Sequence, residues 1–339
     1  MSGMLTDGGP VERKIQLTGG STYTVSIPKA WAEARDIRSG TSVSLFPFDD
    51  RIVVARPDDG TTGRTTTVNV DTVDDGAIGR RIVAAYAAGV DEVVVESDTG
   101  FDPAQRRLAN RTITDLVGLE VQRETERELV ARSLLDPAEV SLESTIDQLR
   151  QIALSMHETA IEAVTADGGT TDVDELAAYV VDRDDEADRL FALVCRQFYR
   201  VLVDVREVES LRTSRSTAFT QFRIARQLER VADHAELIAT LATRQSSPPE
   251  PDLAERLDAT AADARRVVRS ALEGNTGEAL LRRDDVVADL DDLDRELYEA
   301  GGADGYLYGR ILESIRRTAE YGVNVAEATT LRDISQSGL

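Results

Sequence analysis

The sequence predicts a multidomain α+β protein: a small β domain, then a β-α-β-α-β-β module, then an all-helical remainder of two three-helix bundles. Three observations predict it. Residues 11–56 alternate apolar and polar side chains in short runs separated by turn residues. Residues 64–135 alternate β-branched runs with amphipathic stretches. From residue 141 onward only the helical period survives, interrupted by short polar breaks. At 339 residues the chain can build several cores.

In the first region, "VERKIQLT" places Val11, Ile15 and Leu17 toward one side, Gly19 and Gly20 turn the chain, and "STYTVSI" alternates again through Tyr23, Val25 and Ile27. Pro28 opens a short helix, "PKAWAEARDI", which "RSG" ends. "SVSLF" and "RIVVAR" make a second hairpin around Asp49 and Asp50. Four short strands and two helical turns cannot bury an adequate core alone, so dimerisation is expected.

Charge singles out the same region. The chain carries 39 Lys and Arg against 62 Asp and Glu, a formal net charge of -23. That acidity, with Arg in place of Lys, resembles a halophilic protein. The only lysines, Lys14 and Lys29, lie in residues 1–56, whose net charge is +1 while the remainder totals -24. Their placement fits phosphate contact; ordinary strand-edge charge is the alternative.

Arg13, Gly20, Thr24, Ser26, "IPKAW" at 27–31 and the closing hairpin together resemble the SpoVT/AbrB swapped-hairpin family. The resemblance implies that two chains interleave their hairpins into one dimeric β-barrel that binds DNA, with Arg13, Lys14 and Lys29 as candidate phosphate contacts. It leaves open a domain that only dimerises, because the family includes both transcription regulators and antitoxins.

The middle region reads as "RTTTVNV", "TVDDGAIGRRIVAAYAAG", "DEVVVES", "DPAQRRLANRTITDLVG", "LEVQRET" and "RELVARSLL". Asp102 before Pro103 is a helix cap and first position, and Gly118 a stop. The region has no G-x-G-x-x-G, no P-loop and no His or Cys cluster, so catalysis is not expected there. Small-ligand sensing and spacing both remain open.

The helical remainder breaks at 167–172, 213–215, 245–252, 273–277 and 301–305, which predicts six helices. The Pro-rich break in the middle divides them into two groups of three, a weak internal repeat. Each group holds a plain helix, one carrying "RDD", and one ending in a similar signature, "LERVADHAELIA" against "IRRTAEYGVNVA". On a helix, "ARQLERVADHAELIA" puts Ala225, Leu228, Val231, Ala232, Ala235, Ile238 and Ala239 on one apolar arc, with Glu229 and Asp233 together at its edge. The two carboxylates are either a solvated border or a cation site. In so acidic a chain, chance alone supplies roughly eleven acidic i, i+4 pairs, so spacing does not decide.

"LERVADHAELIA", and "DRDDEADRL" at 182–190, resemble the PhoU family of phosphate-uptake regulators, built from two three-helix repeats. The resemblance implies metal binding through paired acidic motifs on the second and third helices. Carried over, Asp184, Asp188, Glu229 and Asp233 would hold a divalent or trivalent cation such as iron, zinc, magnesium or manganese; left bare, four converging carboxylates would repel one another. The second repeat departs from this pattern. Asp285 and Asp289 keep an acidic pair, but Arg316 stands for Glu229, Glu320 for Asp233 and Tyr321 for His234, which predicts an internal salt bridge and little metal. His234 points about 100° away from Asp233 and is expected to pack rather than ligate. Cys195, the single cysteine, cannot form an internal disulfide and is expected to be an inert core residue.

The resulting domain division is 1–57, 58–138, 139–249 and 250–335. The two resemblances together imply non-enzymatic regulation of phosphate uptake, with DNA, a homodimeric second chain and the ATPase of the phosphate ABC transporter as partners; PhoU proteins of bacteria also bind a sensor kinase. An adaptor that inhibits the transporter without touching DNA is the alternative, and a metal-dependent hydrolase ranks below both. With no long apolar run or charged-then-apolar leader, a cytoplasmic protein without membrane insertion is expected.

Overall fold

The computed structural model describes residues 11–48, 51–55, 63–136, 140–166 and 172–337. Packing divides the chain into two compact units, 1–62 and 63–339.

In the first unit β1 (Gln16–Thr18) pairs antiparallel with β2 (Thr22–Thr24), setting Leu17 opposite Tyr23. The turn needs two left-handed residues in succession, and Gly19 and Gly20 supply them at φ 64° and 80°. The strands are shorter than the alternation predicts: residues 11–15 are exposed and unpaired with any strand. Helix α1 (Lys29–Glu33) follows Pro28, whose fixed φ suits the entry to a helix. β3 (Ser44–Pro47) and β4 (Ile52–Ala55) pair antiparallel; Asp49 and Asp50, expected at this turn, lie outside the described residues. The two hairpins form separate two-stranded sheets, and no barrel closes among the described residues. None of the described residues of 11–55 is buried, and Ile15, Leu17, Tyr23, Leu45 and Ile52 are all more than half exposed. Among the described residues a single chain therefore supplies this unit with no core.

The second unit begins with a four-stranded sheet of order β5-β6-β8-β7, comprising β5 (Thr65–Asn69), β6 (Glu92–Glu96), β7 (Leu119–Glu124) and β8 (Glu128–Ser133). β5 and β6 run parallel because α2 (Asp75–Ala87) crosses between them, and the other pairings are antiparallel. The predicted order of elements is present. Asp102 caps α3 (Pro103–Asp115) in a reciprocal capping box with Gln105. Ile78, Ile82, Tyr86, Val93, Val95 and Ile113 form the core between the helices and the sheet, and Ala192 of the helical region joins it.

The helical region holds α4 (Leu142–Thr165), α5 (Val173–Val203), α6 (Val205–Ser210), α7 (Arg215–Ala242), α8 (Pro251–Leu272), α9 (Thr276–Ala300) and α10 (Gly305–Ser337). One more helix is present than the six predicted. Asp204 is extended and its carboxylate accepts from the Arg206 backbone N–H, so it ends α5 and starts the short α6 before the expected break. α4, α5 and α7 pack as one three-helix unit and α8, α9 and α10 as another; α7 against α10 and α4 against α8 join them over one continuous core. His234 and Tyr321, equivalent residues of the two signatures, meet at this junction, with His234 Nε2 3.1 Å from Tyr321 Oη.

α5 also anchors the sheet module. Arg196 Nη1 donates to the carbonyls of Tyr86 and Val90 at 3.1 and 2.6 Å, and its guanidinium lies over the Tyr86 ring. One turn on, Arg200 pairs with Asp91 at 2.6 Å and with Glu207 of α6. The helix that carries Asp184 and Asp188 is thereby fixed to the α+β module by its other end. No described helix is long and apolar enough to cross a membrane.

Candidate metal centre

The site is built on the apolar arc of α7. Ala225, Leu228, Val231, Ala232, Ala235, Ile238 and Ala239 are all fully buried against the core, which fixes the helix about its axis and sets Glu229 and Asp233 at the border facing α5. Glu229 is buried and Asp233 is exposed. Opposite them stands Asp188 of α5, and one carboxylate oxygen from each of Asp188, Glu229 and Asp233 lies within 4.8 Å of the others. Asp184, one turn before Asp188, lies outside that triad but close enough to share its field.

The electrostatics follow from this crowding. Asp184 is pushed up to about 7 by burial first and then by the charges of Asp188, Glu236 and Asp233. Glu229 is likewise raised to about 7, by burial and then Asp233, with Arg226 opposing. Burial also raises Asp188, further lifted by Asp233. Asp233 is raised by burial, against the pull of Arg226. Asp184 and Glu229 hold protons near neutrality because bare charges there are costly. Arg226 offers the one direct counter-charge found for Glu229, with Nη1 2.9 Å from Oε1. Glu229 Oε2 and Asp184 Oδ1 are buried with no hydrogen-bond partner. Two buried oxygen acceptors without donors, beside the exposed carboxylates of Asp188 and Asp233, form an all-oxygen set of the kind a hard multivalent cation takes.

The second unit is built differently. Asp285 and Asp289 are exposed and stand outside any clustered group among the described residues. Arg316 pairs instead with Asp291 at 2.7 Å and Glu313 at 3.6 Å, and Glu320 with Arg317 at 2.8 Å. The expected salt bridge at Arg316 is present, but its acid is Asp291, two residues beyond Asp289. Asp291 thus pairs with Arg316, as Asp188 stands beside Glu229 in the first helical unit.

The other predicted residues fall into place individually. His234 turns from the cluster to Tyr321. Burial pushes the Cys195 thiol up to about 12, leaving it protonated and unreactive. Lys29 is highly exposed and its Nζ lies 3.5 Å from Glu33 Oε1 on the next turn. Arg13 and Lys14 are exposed just before β1. Sequence reasoning missed Glu236, raised by burial, Asp233 and Asp185, and it missed Arg226. Glu236 lies within the signature and Arg226 two residues before it, so a charge count over the motif would have found them. It also missed His157 of α4, fully buried against the buried Arg265 of α8, with Nδ1 3.3 Å from Arg265 Nη1.

Comparison with known proteins places these features. Residues 146–242 match the model of the PhoU domain, which covers the first helical unit with all four candidate ligands. Residues 16–61 match that of "Antidote-toxin recognition MazE, bacterial antitoxin". The chain thus carries a MazE/AbrB-like domain at its N-terminal end and a PhoU domain towards its C-terminal end. Among solved structures it is similar to PhoU from Pseudomonas aeruginosa, at 17% identity and TM-score 0.45, over 55% of this chain and 92% of that one. It is similar also to the phosphate transport system regulatory protein PhoU from Streptococcus pneumoniae, at 15% identity and TM-score 0.45, over 57% and 94%. No curated protein matches the chain.

Proposed function

We propose that the protein is a regulator of phosphate uptake, with a cation-binding helical sensor and a dimeric DNA-binding base. The observation that carries the reading is the coincidence of the PhoU-domain match with the carboxylate cluster that lies inside it. Asp184, Asp188, Glu229 and Asp233 would hold the cation, whose charge would replace the protons and the Arg226 contact that now limit their repulsion. Bound there, a cation would tie α5 to α7, and α5 is the helix that Arg196 and Arg200 fasten to the α+β module.

The uncovered apolar faces of the N-terminal hairpins support a second chain as their complement. Arg13, Lys14 and Lys29 are then the groups to meet DNA phosphates, and such contacts position a protein without reading bases. The test is occupancy of promoters in phosphate-rich and phosphate-starved cells by the full chain and its Lys29→Glu variant. A regulator of the proposed kind changes occupancy with phosphate, and the variant loses it at all sites together. Unchanged occupancy by Lys29→Glu sinks the DNA contact.

One observation favours the adaptor reading. Lys29 sits 3.5 Å from Glu33, so part of the basic charge is already answered within α1. In that reading the N-terminal domain only dimerises, and the ATPase of the phosphate transporter is the target.

A further inference from the structure

We infer that the outer face of α5 and α7 docks an amphipathic helix of a partner protein, one that lays an apolar ridge on a stack of aromatic rings and sets a lysine or arginine against the carboxylate end. This goes beyond the regulatory reading and needs no bound cation.

The face is continuous. Asp184, Asp188, Phe191, Cys195, Phe198 and Leu202 recur at helical spacing along one side of α5. Facing them across the helix pair, Phe222 of α7 has its ring 6.1 Å from Phe191 and 4.8 Å from Phe198, and Phe219 lies 6.0 Å from Phe198. The stack is not closed over: Phe219 is 49% exposed, Leu202 48% and Tyr199 44%. Phe191, Phe198 and Phe222 are half-buried and Arg226 lies 5.3 Å over the Phe191 ring, so the open part of the stack is its Phe219, Tyr199 and Leu202 end; an exposed aromatic cluster beside a charged rim is the composition of a protein–protein contact.

The second helical unit shows that the bundle does not need these rings. The meeting of His234 with Tyr321 relates α7 to α10, and the acids opposite Glu229 and Arg316, namely Asp188 and Asp291, relate α5 to α9. On that correspondence Phe222 becomes Gly309, Phe191 becomes Asp294, and Phe219 becomes Tyr306. A Cβ on Gly309 would lie 3.9 Å from Asp294 Oδ1, so the same two positions face each other without rings. Where the first unit has its stack, the second has an open depression of about 710 Å³, with Asp294 and Tyr306 on its wall. Phe198 corresponds to Gly301, just past the end of α9, so α5 continues beyond its counterpart to carry the rings outward.

Charge selects the occupant. A second copy turned about a two-fold axis through the rings would set ring on ring but leave both acidic ends without a basic partner. Asp184, Asp185, Asp188, Asp233 and Glu236 gather at one end, so a helix with an apolar ridge and a basic end satisfies both parts.

The test measures binding of labelled 18-residue helical peptides to the full chain by fluorescence anisotropy at pH 8.5 in chelator, so that no cation occupies the carboxylates and they carry their own charge. One peptide has a leucine ridge ending in two lysines, the second ends in two glutamates, and the third scrambles the ridge. Phe198→Glu makes the chain more negative yet is expected to weaken the lysine-ended peptide at least tenfold. Phe219→Ser, at an exposed position that spares the core, is expected to weaken it severalfold. Tyr306→Glu on the second unit is expected to change nothing. The glutamate-ended and scrambled peptides are expected to bind at least tenfold more weakly than the lysine-ended one. Binding that Phe198→Glu and Phe219→Ser leave intact or strengthen would mean bulk charge attraction and overturn the proposal, as would equal binding of the scrambled peptide. Self-association in sedimentation that Phe219→Ser abolishes would assign the face to a second copy and also overturn it. Metal uptake is measured separately, so failure here leaves the cation site standing, and the reverse.

Discussion

The two helical units share a scaffold and differ in what its facing positions carry. In the first, Asp188 faces Glu229, with Asp184 and Asp233 one turn away along their helices. In the second, Asp291 faces Arg316, Val287 occupies the place of Asp184, and Glu320 has turned to Arg317. An apolar residue and a fixed cation thus stand where the first unit has two of its carboxylates, and an ion pair stands in place of the crowded cluster. A bundle therefore preserves its helices through core residues such as Leu228 and Ile315, both fully buried, while the polar border changes freely.

The largest effect expected from this comparison is on metal content. Glu229→Gln with Asp233→Asn should abolish cation uptake by the full chain, read by elemental analysis, while Glu320→Gln leaves it unchanged. Equal metal in the wild type and the double variant would rule out both residues as ligands. The comparison is sharpened by the reverse change: Val287→Asp with Arg316→Glu should add one equivalent of bound cation. A chain that still binds the wild-type amount would show that more than these two positions separates the units.

The smallest effect concerns pH. Asp184 and Glu229 titrate near 7 in the fold, above their unfolded values, so the metal-free folded chain holds protons there that the unfolded chain has lost. Their relative stabilisation is complete below about pH 4 and is lost as pH rises through 7. Asp184→Asn with Glu229→Gln should therefore gain melting temperature over the wild type progressively between pH 5 and 8 in chelator, and nothing at pH 4. The gain is modest because both groups are partly screened by water. Metal affinity should run the other way and rise across the same interval, since the ligands must lose those protons to bind. A melting difference that stays flat with pH would contradict the crowding.

Much of this was legible along the chain. The arc of seven apolar residues on α7 and the place of Glu229 and Asp233 at its edge follow from the helical repeat alone, because angular position within one helix depends only on residue number. The cap at Asp102 and the left-handed pair Gly19–Gly20 are local in the same sense. Which residue of a neighbouring helix lies opposite is not local. Asp291 rather than Asp289 meets Arg316, and Asp188 more closely than Asp184 meets Glu229, because the axial offset of two packed helices is set by how their cores interlock. A shift of half a turn leaves every apolar stripe plausible and moves every border contact. The same holds for Arg196 and Arg200, whose partners Tyr86, Val90 and Asp91 stand over a hundred residues away, and for His157 against Arg265. Only packing of the whole chain brings those groups within reach, since no repeat in the sequence encodes the distance between elements that meet side to side.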